Sequence, residues 1–461
     1  MKLTIIGAGP GGYVAALKAA QLGAHVTIIE DTEVGGTCLN RGCIPAKALI
    51  ASSRALSMAK RLEEFGIDIS GEVIPNISKI MERKDKVVST LVKGIRSLFK
   101  SWGINLIEGR GMILTPKKVR VQKKDGSTEI IDCDKIIIST GSRPAKIPIF
   151  QFDGENILSS DDALTIKSIP KSITIIGGGA IGCEFSTIFN EFGTEINIVE
   201  MMPRILPTED PEISELLERE LNRKKIKIHK GITVEKVEVN KKGVHLLLSN
   251  GNELISEKVL VSVGRALNSE GIGLDEVGIK KGSRGEIIVN NKMETNVEGI
   301  YAVGDITGIW LLAYVASMQG LIAAYNACGI EKEIDYKVVP SAIFTSPEIG
   351  SVGLRENQAE SEGIGIKKGY FHFRTLGKAH AMGEISGFVK VIVDSDTNRV
   401  IGVHIIGPHA TDLIHEASLA IQAGLTAKDI AHMIHAHPTL SEALMEAAGD
   451  VAGEAIHKMK K

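Results

Sequence analysis

Two cysteines five residues apart, Cys38 and Cys43, lie in the stretch Gly35-Gly36-Thr37-Cys38-Leu39-Asn40-Arg41-Gly42-Cys43-Ile44-Pro45-Ala46-Lys47. Two thiols that close can alternate between dithiol and disulfide, which is a two-electron store. The same pair could be half of a zinc site, two buried thiols or a structural bridge. No second cysteine pair or nearby histidine completes a tetrahedral zinc set, so no metal is expected. Cys133, Cys183 and Cys328 sit in apolar sequence and are expected to be buried small hydrophobes.

A second chemical cluster lies near the C-terminus: His435-Ala436-His437-Pro438-Thr439-Leu440-Ser441-Glu442. Thr439 and Glu442 have the spacing of a capping box, in which Glu442 reaches back to an N-cap amide. The sharper reading is a dyad, with Glu442 fixing the tautomer of one histidine. That histidine could then move a thiol proton. A thiol attacks as the thiolate and is mostly protonated at neutral pH, so a base within reach matters.

The thiol stretch follows a glycine turn, Gly7-Ala8-Gly9-Pro10-Gly11-Gly12. A strand precedes it (Leu3 to Ile6). A helix (Gly11 to Leu22) and a strand (Val26 to Glu30) follow. Gly7 makes the tight turn, Gly9 lets a pyrophosphate approach the helix N-terminus, and Gly12 allows close packing. Glu30 can accept from a ribose hydroxyl. The unit recurs as Ser172 to Ile176, Gly177-Gly178-Gly179-Ala180-Ile181-Gly182, a helix to about Phe192, and Glu195 to Glu200. Gly177, Gly179, Gly182 and Glu200 occupy the same four roles, so two dinucleotides are expected.

Between these units the pattern predicts helices over Ile44 to Lys60 and Ile77 to Lys100. Short β segments are expected at Gly111 to Val121 and Glu129 to Ile131. A continuous apolar strand is expected at Lys135 to Thr140, with Gly141-Ser142-Arg143-Pro144 as a turn. Val259 to Val263 and Gly264-Arg265 read as the exit from the second unit. Gly299 to Asp305 reads as a buried strand returning to the first. The tail from about Lys337 shows antiparallel strands (Gly387 to Val393, Val400 to Ile406) and then helices.

The chain of 461 residues is too long for one core and suggests about three domains. Its 49 glycines and 4% aromatics suit α/β architecture with many tight turns. A net charge of −2 favours neither nucleic acid nor an anionic membrane. No apolar run is long enough to span a bilayer and no signal peptide is visible, so a cytoplasmic location is expected.

Taken together, and in this order along the chain, the motifs resemble those of the flavin-dependent pyridine nucleotide–disulfide oxidoreductases, most of all the members that oxidise dihydrolipoyl groups. The motifs are the first glycine loop, Gly-Gly-Thr-Cys…Cys-Ile-Pro-x-Lys, Ser139-Thr140-Gly141 and the second glycine loop. They continue with Tyr301-Ala302-Val303-Gly304-Asp305, Phe344-Thr345-x-Pro347-Glu348 and the C-terminal cluster. The resemblance implies two Rossmann-like domains and a C-terminal α+β dimerisation domain. The implied boundaries are 1–143 with 266–336 for FAD, 144–265 for NAD, and 337–461 for the interface.

By the same resemblance, FAD would be held by Gly7, Gly9, Gly12, Glu30, Thr37, Lys47, Thr140, Gly141 and Asp305. NAD would be held by Gly177, Gly179, Gly182, Glu200 and Gly264. Cys43 would be the thiol next to the flavin and Cys38 the one that exchanges with substrate. Lys47 would pair with Glu184 beside the flavin. His437, oriented by Glu442, would face the disulfide of the other subunit of a homodimer. The implied cycle is exchange of a dihydrolipoyl thiolate at Cys38, release of cyclic lipoyl disulfide, and passage of electrons through flavin to NAD⁺. The dihydrolipoyl group would be free or carried on a lipoyl-bearing protein of a 2-oxo acid dehydrogenase or glycine cleavage system.

Two residues depart from the resemblance. Arg41 stands between the cysteines where a small apolar residue is usual. Its guanidinium could lower a thiolate pKa, greet an anionic substrate, or simply face solvent. Tyr314 stands where many relatives carry histidine. The competing reading is a related reductase of glutathione or coenzyme A disulfides. Relatives that use NADPH place arginines for its 2′-phosphate. Here Glu200 would repel that group, and Arg204 is the nearby candidate to bind it. A flavin-bound scaffold or redox sensor is the non-catalytic alternative.

Overall fold

The computed structural model describes residues 1–459. The chain opens with a parallel βαβ unit: β1 (Lys2–Ile6), α1 (Pro10–Gln21) and β2 (His25–Glu30). The strands run in register from Lys2 opposite His25 to Ile6 opposite Ile29. α1 starts where Gly9 is extended and Pro10 presets the first helical residue. Gly42 separates a short helix, α2 (Gly36–Arg41), from α3 (Cys43–Lys60). α4 (Ile77–Ser101) begins at Asn76, whose side chain accepts the Lys79 N–H. β3 (Asn105–Thr115), β4 (Lys118–Lys123) and β5 (Thr128–Asp132) form an antiparallel meander before β6 (Lys135–Ile138).

A second parallel unit follows. β7 (Ser142–Pro144), β8 (Ile157–Leu158) and α5 (Ser160–Ala163) lead into β9 (Ser172–Ile176), α6 (Ala180–Glu191) and β10 (Glu195–Glu200). α7 (Pro211–Arg223), β11 (Lys227–Lys230) and the ribbon β12 (Val234–Asn240), β13 (Gly243–Leu248), β14 (Glu253–Ser256) come next. β15 (Lys258–Val261) completes a five-stranded parallel sheet of order β11-β10-β9-β15-β8. β16 (Arg265–Leu267) then pairs antiparallel with β7, so the outgoing and returning chains run side by side.

β17 (Ile300–Ala302) closes the first sheet beside β6, giving the order β17-β6-β1-β2-β3-β4-β5. α8 (Ala313–Ala327) packs against α1. The last unit is an antiparallel sheet of order β18-β19-β22-β21-β20. It comprises β18 (Ser341–Ile343), β19 (Glu348–Gly353), α9 (Glu356–Ser361), β20 (Ile366–His372), α10 (Gly377–Met382), β21 (Phe388–Asp394) and β22 (Val400–Gly407). α11 (Ala410–Ala423), α12 (Ala427–Ala431) and α13 (Glu442–Ala452) follow it. The central strands are apolar without alternation because both faces are covered: Ile136, Ile137 and Ile138 are fully buried.

The structure corrects several expectations. Gly111 to Val121 is not one segment; it spans the turn between β3 and β4, and Pro116-Lys117 breaks it. The strand expected to Asp305 stops at Ala302, because Gly304 takes φ +79° and the chain enters a 3₁₀ turn at Asp305. Cys133 and Cys183 are buried, but Cys328 is only half-buried at the C-terminal end of α8. No helix among the described residues is long and apolar enough to cross a membrane.

Candidate functional site

Cys38 lies within α2, and Cys43 is the first residue of α3 across Gly42. The two thiols lie next to each other, close enough for each to shift the other's pKa. They open onto a cavity of about 1440 Å³ whose wall includes Gly7, Gly9, Glu30, Thr37, Lys47 and Glu184. Thr140, Gly141 and Asp305 line it too. The Lys47 Nζ lies 2.9 and 2.8 Å from the two Glu184 oxygens. Phe344 adds its backbone N–H to Glu184 at 3.0 Å, and the Lys47 ammonium sits 4.3 Å from the centre of its ring. Residues from α3, α6 and the loop after β18 therefore meet beside the thiols.

This arrangement makes the two cysteines unequal. The neighbouring Cys38 thiol, with the Lys47 charge beside it, pulls Cys43 down to about 7 against its partial desolvation in the cavity wall. The neighbouring Cys43 and burial push Cys38 up. Of the reduced pair, Cys43 is the thiol that ionises first. Arg41 is not the cation beside the thiols. Its guanidinium points to Asp161 at 3.8 Å and to the Thr32 hydroxyl at 3.4 Å, from a position on the same cavity.

The glycine loops fit a bound dinucleotide. A Cβ on Gly12 would lie 1.9 Å from the Gly7 carbonyl oxygen, and one on Gly182 would lie 2.0 Å from that of Gly177. Helix and strand can pack only without those side chains. A Cβ on Gly9 would meet nothing nearer than 3.9 Å, and one on Gly179 nothing within 4 Å. That open space over each helix N-terminus is where a pyrophosphate can reach the backbone. The closing acids hold the loops: Glu30 accepts from Ala8 N–H at 2.7 Å, and Glu200 from Gly178 N–H at 2.6 Å. Glu200 also accepts from Met202 N–H at 2.7 Å. Arg204 donates to the carbonyls of Pro207 and Glu209 at 3.0 and 3.3 Å, which ties it to the backbone.

His437 and Glu442 lie outside the cavity lining. His437 Nδ1 is 2.8 Å from one Glu442 oxygen, and Thr439 N–H donates to the other at 2.8 Å. Burial opposes ionisation of Glu442, but the Thr439 N–H and the His437 ring hold it below the usual range. Both readings of Glu442 are therefore present, one on each oxygen. The expected capping box is incomplete, because α13 begins at Glu442 with Ser441 as N-cap, and the Thr439 hydroxyl donates to Ala436 instead. The His437 side chain is 78% exposed.

Several contacts were not read from the sequence. Arg265 donates to the Ser142 hydroxyl at 2.6 Å and to the Ser142 carbonyl at 2.8 Å, while that hydroxyl donates to Asp305. Asn268 ties down Thr140 through two bonds of 2.9 Å, and its N–H donates to Gly141 O at 3.0 Å. These contacts join residues more than 120 positions apart, and only the Gly264-Arg265 turn marked the place. Gly264 has φ +125° and accepts from Ala145 N–H at 3.0 Å, outside the cavity lining. Tyr314 lines the cavity and donates its hydroxyl to Pro340 O. Burial pushes its phenol up to about 12, with the Glu209 and Cys43 charges adding.

The model of the family described as "Pyridine nucleotide-disulphide oxidoreductase" matches residues 1–320, and that of its dimerisation domain matches residues 339–448. A dihydrolipoyl dehydrogenase of Chlamydia muridarum is 44% identical over 446 residues, covering 96% of this chain and 95% of that protein. One of Bacillus subtilis is 41% identical over 469 residues, covering 99% and 98%. The crystal structure of LpdA from Mycobacterium tuberculosis superposes with a TM-score of 0.92 at 30% identity, covering 97% and 99%. The HOCl-induced flavoprotein disulfide reductase RclA from Escherichia coli gives a TM-score of 0.88 at 26% identity, covering 97% and 99%. The chain belongs to the pyridine nucleotide–disulfide oxidoreductase family. Membership brings FAD and NAD as its cofactors, and both glycine loops fit them.

Proposed function

We propose that the protein works as a homodimer that oxidises dihydrolipoyl groups to the cyclic disulfide and reduces NAD⁺. The observation that carries this reading is the adjacent Cys38–Cys43 pair, beside Lys47 and Glu184, on the cavity that includes the first glycine loop. In the oxidised protein the pair is a disulfide. His437, held by Glu442, takes the proton of one substrate thiol; the thiolate attacks Cys38 Sγ, the Cys38–Cys43 bond breaks, and its electron pair goes to Cys43 as thiolate. Lys47 stabilises that charge. The second substrate thiol attacks the mixed disulfide, and its proton goes to the departing Cys38 sulfur. Cyclic lipoyl disulfide leaves and Cys38 keeps the other electron pair. FAD, when bound, supplies the two-electron relay between the dithiol and NAD⁺.

His437 belongs, in this reading, to the site of the partner copy, which its exposure and its place outside the cavity support. Residues 1–143 with 266–336 form the FAD unit, 144–265 the NAD unit, and 337–461 the interface unit, of which Lys460 and Lys461 lie outside the described residues. Glu200 beside the second loop, with Arg204 engaged elsewhere, favours NAD over NADP. The dihydrolipoyl group is free or borne on a lipoyl protein of a 2-oxo acid dehydrogenase or glycine cleavage system. A cycling dithiol fits a reducing cytoplasm. Steady-state assay with dihydrolipoamide tests the reading. NAD⁺ should be reduced at least about 100-fold faster than NADP⁺, and Cys38→Ser should remove turnover, a loss of about 10³ or more. Turnover preserved in Cys38→Ser, or NADP⁺ preferred, would contradict it.

A further inference from the structure

The segment before the His437–Glu442 pair carries a second histidine that the proposed cycle does not use. His435 lies between α12 and α13. Its side chain is 3% exposed, whereas its neighbours Met433 and Ile434 are 50% and 98% exposed. The ring is held at both nitrogens. Nδ1 lies 2.9 Å from the Met433 carbonyl oxygen, and Nε2 lies 2.9 Å from a Glu416 oxygen on α11. A carbonyl and an ionised carboxylate only accept. A neutral imidazole has a single N–H, so it would set a lone pair against one of these oxygens. With both contacts made, the His435–Glu416 pair retains one proton more than a neutral ring and an ionised carboxylate would.

The pair is polar and directed. Glu416 faces the ring from α11, and Glu442 at the start of α13 lies within electrostatic reach of His435 and His437. On the α12 side, Lys428 and His432 turn away to Glu454 at 3.0 and 2.9 Å. We propose that His435 is a positioning residue for His437: its doubly bonded ring ties the 433–441 segment to α11 and sets a fixed cation against Glu442, which in turn aims His437. The inference rests on the dithiol reading above and adds a residue to it.

The test compares Glu416→Gln, His435→Gln and His435→Leu with the wild type. Two profiles are recorded across pH: kcat and KM with dihydrolipoamide, and alkylation of the reduced protein by iodoacetamide. The amide introduced by Glu416→Gln can donate to Nε2 of a neutral ring, which keeps the segment in place while the ring's cation goes together with the Glu416 anion on its far side. Glu416→Gln should leave KM and melting temperature unchanged and lower kcat about threefold. It should also move the acid limb of both profiles up by about half a pH unit, since of the two charges lost the ring, not Glu416, is the one that acts on Glu442. His435→Leu should lower kcat about tenfold, with His435→Gln between it and the wild type because one contact is restored. Wild-type kcat and pH profiles in Glu416→Gln would overturn the proposal, whether or not His435→Leu folds. If the wild type oxidises no dihydrolipoamide, the functional reading fails. The alkylation profiles then decide this inference alone, and an unmoved limb in Glu416→Gln overturns it.

Discussion

Cys43 carries the negative charge of the reduced pair because a thiol, a lysine and the start of α3 all face it. Lys47 is the cation that matters there, while Arg41 is turned toward Asp161. Lys47→Met should therefore raise the midpoint of thiolate loss in the reduced protein, from about 7, by roughly one unit. The sign follows from removing a cation: the protonated form gains, so the thiolate is lost at a higher pH. Alkylation of the reduced protein against pH reads this midpoint. Arg41→Val should leave it in place; movement in that variant and none in Lys47→Met would reverse the assignment. Cys38, Cys43, His437 and Glu442 were legible because reactive residue types stand close together in sequence. The Lys47–Glu184 contact spans 137 positions and came only from the family resemblance. The Ser142–Arg265–Asp305 group was invisible, since nothing local marks a serine as the partner of a distant arginine.

Both βαβ units could be read almost residue by residue. Their glycines have fixed mechanical duties, and their strands are mostly apolar, without strict alternation, because both faces are covered. β9 and β10 fall where the pattern put them, at Ser172–Ile176 and Glu195–Glu200. Apolar runs ending in glycine were overread, as at Gly299 to Asp305, because positive φ at Gly304 ends the strand and leaves no mark in the hydrophobic pattern. The meander was underread at Gly111 to Val121, where alternation continues through a tight turn. The loops separate two roles of glycine. Gly179→Val enters open space and should leave the fold and flavin in place. It should still block the pyrophosphate, so reduction by dihydrolipoamide persists while NAD⁺ turnover falls by about 100-fold or more. A variant with unimpaired NAD⁺ affinity would remove the second loop from that role.

Across the whole molecule, the second and third units are joined through a buried charge. Lys390 on β21 is 1% exposed, yet its ammonium lies 2.9 Å from Asp210 and 3.1 Å from Glu212, and pairs with Glu356. Asp210 is itself fully buried ahead of α7. Lys390→Met would leave these carboxylates facing one another and should cost about 3–5 kcal/mol in urea unfolding. A loss under about 1 kcal/mol would mean that the cluster is already solvated. The proposed dimer has a sharper consequence. If each site combines Cys38 and Cys43 of one copy with His437 of the other, inactive Cys43→Ser and His437→Gln proteins should complement each other when refolded together. Equal mixing should restore about a quarter of wild-type activity, since half the dimers are mixed and each holds one complete site. No recovery, with mixed dimers demonstrated, would place His437 in its own subunit's site. The most direct measurement remains anaerobic rapid mixing of the purified oxidised protein with dihydrolipoamide and then with NAD⁺. Fast appearance of a thiolate–flavin absorption band followed by stoichiometric NADH is the expected result. A protein that NADH reduces but dihydrolipoamide does not would keep the fold and cofactors and contradict the substrate.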